Sequence, residues 1–166
     1  WSSLAFAEHD QNRQLLLGCF YGSLIIMIAY NFFIWLSVRE KSYLLYVFFV
    51  ISFGLLLATI DGFTYQYLWP HAVWWNNRAI VVILNITLAL SLAFSKNFLR
   101  TSKYNPQLNK VLTLYMSLML LMAVLSFYFP YRVMIVLTLL LSAGTAFLVI
   151  TTGICNWRAG NRAARF

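Results

Sequence analysis

Between Leu15 and Ser37 the sequence runs for 23 residues without a charged side chain, and the cluster Arg39, Glu40, Lys41 follows at once. At about 1.5 Å per helical residue, such a stretch crosses a hydrocarbon layer of about 30 Å. Its apolar residues go round the whole circumference of a helix. No face is left for water, and the solvent that suits the segment is lipid. Four more stretches of this kind follow, so the expected spans are 15–37, 42–60, 79–99, 111–129 and 133–156. The expected fold is all-α, a polytopic transmembrane helix bundle with five spans in this chain.

Composition agrees. Hydrophobic residues make up 62% of the chain and charged residues 10%, against about a quarter charged in soluble domains. Five spans in 166 residues leave no room for a sizeable soluble domain. The expected division is a lead-in at 1–14, a membrane domain at 15–157 and a basic segment at 158–166. The net charge of +8 is no nucleic-acid footprint, because the bases stand between apolar runs and form no stripe interleaved with exposed aromatics. Cys19 and Cys155 are too few for a disulfide framework and are expected as two buried thiols.

The connectors differ in charge. Arg39 and Lys41 with Glu40 make a tight turn after the first span. Lys96, Arg100, Lys103 and Lys110 surround the connector after the third, and Arg158, Arg162 and Arg165 lie in the tail. The lead-in, the aromatic linker 63–78 and the turn around Pro130 carry one base each: Arg13, Arg78 and Arg132. Nine bases against three on alternate sides of the spans place the N-terminus outside and the C-terminus in the cytoplasm by the positive-inside rule.

The chemistry-bearing residues are sparse. His9 and His71 are isolated, no Lys lies in the middle of a span, and the four acids avoid mid-membrane positions. No phosphate loop, zinc motif or Cys-x-x-Cys is present, so the chain is expected to have no catalytic constellation, no metal and no cofactor. Gly18 and Gly22 form a Gly-x-x-x-Gly, and Gly54 with Ala58 and Ser142 with Ala146 repeat the spacing of small residues. Such faces let helices approach closely, either across a homodimer or inside one bundle. Asn31 and Asn85 lie within spans, where an amide needs partners. Both are expected to face the bundle interior, as plain interhelical hydrogen bonds or as a polar switch that re-pairs. Asp61 is the one acid next to a span on the outer side, open to capping a helix, pairing with Arg78 or meeting a ligand. The aromatic linker with Trp69, Trp74 and Trp75 reads as a belt at the membrane–water boundary or as a docking surface for an external domain.

An ordered set of short motifs goes further. It consists of Gly18-x-x-Tyr21-Gly22, Tyr30-Asn31, Arg39-x-x-x-Tyr43-Leu44-x-Tyr46, Gly62, the Tyr65 to Pro70 segment ending in Leu-Trp-Pro, Asn77-Arg78-Ala79 and Phe98-Leu99. Together these resemble the bacterial seven-transmembrane receptors with diverse intracellular signalling modules. Phe6-Ala7 and Arg13-Gln14-Leu15-Leu16 look like the family's junction with a periplasmic sensor domain. The chain departs from the family in having five spans where seven belong, ending in a basic segment where a sixth should follow. The resemblance implies a multi-pass protein of the bacterial inner membrane. It would relay periplasmic ligand sensing to a cytoplasmic output module of the same parent chain, such as a diguanylate cyclase or a histidine kinase. On this reading Gly18, Gly22, Asn31 and Asn85 are candidate packing or switch residues, and Asp61, Trp69, Trp74, Trp75 and Arg78 form a candidate periplasmic coupling surface. The competing readings are a piece of a small-molecule transporter or channel, and a passive membrane anchor.

Overall fold

The computed structural model describes residues 2–99, 101 and 105–158, apart from the side chains of 2–10, 12, 73, 157 and 158. Its elements are α1 (Ser2–Val38), α2 (Lys41–Ile60), α3 (Phe63–Tyr67), α4 (Val73–Phe98), α5 (Pro106–Leu125) and α6 (Tyr131–Arg158). Five of these helices are long and apolar enough to cross a membrane: α1 from Arg13, α2, α4 from Trp74, α5, and α6 as far as Asn156. The chain is an all-α, multi-pass membrane protein. The basic segment expected at 158–166, like Arg100 and Lys103, lies almost wholly outside the described residues.

The helix limits differ from the expected spans for local reasons. No Gly or Pro interrupts residues 2–17, so α1 starts at Ser2 and includes the polar lead-in. α5 starts at Pro106, where the ring's fixed φ suits a first helical position, and the Asn105 side chain accepts from the Leu108 amide at 3.4 Å. It stops at Leu125 rather than 129, because Pro130 disfavours a helical residue before it and 126–129 turn instead. The turn between α1 and α2 needs only Arg39 and Glu40, and Lys41 already belongs to α2. Arg39 makes this possible by taking φ 59°, with its amide bonded back to the Trp35 carbonyl at 2.8 Å. Its guanidinium lies 5.4 Å from the Trp35 ring centroid.

Paired contacts set the topology. Tyr21 meets Asp61, Ser42 meets Asn97, and Lys96 meets Thr113, so α1–α2, α2–α4 and α4–α5 are antiparallel neighbours. One end of the bundle holds the loops 61–72 and 126–130 and is rich in aromatic rings. The other end holds the 39–40 turn and the junction of α4 with α5, and is rich in bases. α4 is the hub and packs on α2, α5 and α6, while α1 packs on α2. Half of the apolar stretch of α4 is buried and none of that of α1. One apolar cluster joins Leu56, Ala79 and Ile83 with Trp69 and Trp75, and another joins Val81, Met122 and Met134. The buried side of α6 is largely polar, with Thr138, Thr145 and Thr152 seven residues apart and Asn156 one turn further.

Candidate functional site

The aromatic end is built round the corner after α2. Gly62 adopts φ 85°, a left-handed conformation that costs glycine nothing, and redirects the chain into α3. This leaves Asp61 exposed at the corner, where the Tyr21 hydroxyl of α1 donates to its Oδ2 at 2.9 Å. The Tyr21 ring stands edge-on to Phe63 at 5.9 Å between centroids. Asp61 thus pairs with α1, and Arg78 has other partners. Its Nη1 donates to the Phe127 carbonyl at 2.6 Å, and its guanidinium lies 4.3 Å from the Trp74 centroid. Trp75 stacks on Phe127 at 5.7 Å and meets Trp69 edge-on at 6.2 Å. Arg78 and Trp75 therefore clasp the loop 126–130 to the start of α4.

The expected coupling set divides by burial. Trp69, Trp75 and Arg78 are half-buried and join elements together. Asp61 is exposed, and Trp74 is 61% exposed. Beside Trp74 an outward rim contains Tyr67, Leu68 and Tyr128, the last 81% exposed. Such rings, apolar in body and polar at the tip, suit a membrane–water boundary. Thr64 Oγ1, Trp69 Nε1 and Asn76 Oδ1, all at this end, are buried without hydrogen-bond partners.

The amides within the spans have different surroundings. Asn85 is fully buried, and its Nδ2 donates to the Val81 carbonyl at 2.9 Å and to Thr138 Oγ1 of α6 at 3.0 Å. Its Oδ1 has no partner. Two residues on, Thr87 turns to the other side of α4 and bonds Ser52 of α2 at 2.7 Å. α4 is thus tied by side-chain hydrogen bonds to α2 and α6 on opposite sides. Asn31 is only half-buried, and its Nδ2 bonds back to the Met27 carbonyl of its own helix at 2.8 Å.

The glycines separate in the same way. A Cβ built at Gly18 or Gly22 would meet nothing within 4 Å, so this face does not pack inside the bundle. At Gly54 it would touch Leu24 of α1 at 3.4 Å. At Gly144, which the spacing of small residues does not single out, the Tyr115 hydroxyl occupies the place of a Cβ and donates to the Leu141 carbonyl at 3.1 Å. Cys19 and Cys155 are free and exposed rather than buried, because both sit on outward faces of the outer helices α1 and α6. Tyr21, Phe127, Thr138 and Tyr115 carry contacts that the sequence reading passes over. Within long apolar runs, nothing local marks which Tyr or Thr meets a neighbour.

The family model described as 7TM diverse intracellular signalling matches residues 13–166. No curated protein and no solved structure matches the chain.

Proposed function

The chain belongs to the 7TM diverse intracellular signalling family, and from that membership we propose that it relays a signal across the inner membrane of a bacterium. The aromatic end faces the periplasm and the basic end the cytoplasm. Nine bases against three in alternate connectors support this orientation. The partners are a periplasmic sensor domain before α1 and a cytoplasmic output module after the bundle, such as a diguanylate cyclase or a histidine kinase. This domain supplies transmission and no catalysis.

The observation that carries the reading is how α1 is held. It packs on α2, its apolar stretch is nowhere buried, and among the described residues its side-chain hydrogen bond to the bundle is Tyr21 to Asp61. The short turn at Arg39 and Glu40 is the pivot at its other end. A helix held along one side can shift against α2 at small cost. The shift passes to α4 through the Ser52–Thr87 pair and the loop 61–72. Any such relay needs an input that favours one of two arrangements.

The test is the output activity of the parent receptor in membranes. Tyr21→Phe and Asp61→Asn each remove or weaken a bond of about 0.5–1 kcal/mol, so basal output should change by about two- to fivefold. Replacing the five spans with an unrelated membrane anchor should abolish regulation. Regulation that survives the replacement would show the domain to be a passive anchor.

A further inference from the structure

From Gly62 to Phe166 the sequence contains nine Lys and Arg and not one Asp or Glu. Arg78 is answered by a carbonyl and an aromatic face. Lys96 is not answered in that way. It stands half-buried in the last turn of α4, and its Nζ donates to Thr113 Oγ1 of α5 at 2.8 Å. Thr113 gives its own proton to the Asn109 carbonyl at 2.7 Å and offers the ammonium only lone pairs. An ammonium has three donors, and a neutral hydroxyl supplies no counter-charge. Burying even part of such a cation is costly unless an anion reaches it.

Among the described residues, no carboxylate is bonded to Lys96. Asp61 lies at the opposite end. Glu40 precedes α2, which contacts the other flank of α4, since Asn97 Nδ2 bonds Ser42 there at 3.0 Å. More positive charge gathers on the Lys96 flank. Lys110 is exposed one turn before Thr113 on the same side of α5. The first turn of α5 contains no acidic residue, so the positive end of its dipole is left without an anion. Apolar surface lies next to these charges: Phe98 on α4, and Val111 and Leu114 on α5, with Leu114 72% exposed.

We propose that the groove between α4 and α5 at the basic end binds the phosphate of an anionic phospholipid, with Lys96 and Lys110 as its cations. Lys96 lies two residues inside the end of a membrane-spanning helix, about 3 Å along the axis, and so reaches headgroup depth. The exposed apolar residues beside it suit acyl chains, which free phosphate lacks. The bound lipid neutralises Lys96 and fastens α4 to α5.

The protein reconstituted in nanodiscs of phosphatidylcholine with a minor share of phosphatidylglycerol, and released for native mass spectrometry, should retain phosphatidylglycerol preferentially. Lys96→Gln and Lys110→Gln should each lower that preference by about fivefold, and Lys96→Arg should restore it. Lys41→Gln, at the same end but on α2, should leave it unchanged. Lys110 is exposed, so Lys110→Gln carries the test even if Lys96→Gln proves unstable. Equal retention in the wild type and both Gln variants would overturn the site. Displacement of the retained lipid by millimolar inorganic phosphate would overturn the phospholipid as its occupant.

Discussion

α1 and α4 have similar compositions and opposite places. Both are long and apolar, and both cross the membrane. α4 is buried over half of its apolar stretch, meets three helices and has polar groups bonded on two sides. α1 meets α2, and its glycine face packs against nothing among the described residues. In water such a difference would follow from hydrophobicity, because apolar surface is driven inward. In lipid the outside is as apolar as the inside, and burial follows shape and hydrogen bonding. The small side chain of Ala79 and the paired Asn85 and Thr87 keep α4 central. α1 has a Tyr and a half-buried Asn, and is correspondingly loosely held.

Five substitutions can break or sharpen this contrast, each read as the thermal transition of the purified protein in nanodiscs. The largest effect is expected for Ala79→Leu, which forces volume into a fully buried position against Leu56 and Ile83. It should cost about 1–3 kcal/mol. An unchanged transition would mean that the contact between α2 and α4 is looser than it looks. Next comes the pair Asn85→Ala and Thr138→Val. A double-mutant cycle should return a coupling of about 0.6 kcal/mol, and a coupling of zero would remove Asn85 as the tie between α4 and α6. Arg39→Gly should leave stability within about 0.5 kcal/mol, since relief of a left-handed backbone offsets the lost contact with Trp35. The smallest effect belongs to Gly22→Leu, with no measurable change, because the added side chain enters lipid. A marked loss there would place a second helix, from a dimer or from elsewhere, against α1.

Much of the architecture is legible in the residues. The five apolar runs correspond to the five crossing helices, and the turn expected around Pro130 falls where the chain turns. Of the candidate residues, Asn85 lies inside the bundle as its chemistry requires, and Trp69, Trp75 and Arg78 join elements at the aromatic end. Others were not legible. The Gly18–Gly22 spacing marks a face that can pack closely but not whether anything packs there, and Gly144 belongs to no such spacing yet is the glycine pressed by a Tyr. By sequence Asp61 is open to capping a helix, pairing with Arg78 or meeting a ligand, and its partner is Tyr21 of α1.

The amino-acid sequence alone determines that this chain is helical, crosses a membrane five times and is basic at one end. These properties add up residue by residue, and lipid permits no other backbone for an isolated apolar segment. The tertiary structure decides which helix is the hub, which hydroxyl meets which amide, and that Lys96 bonds Thr113 of α5. An apolar helix in an apolar solvent has no preferred inward face until its neighbours supply one by fit and by hydrogen bonds.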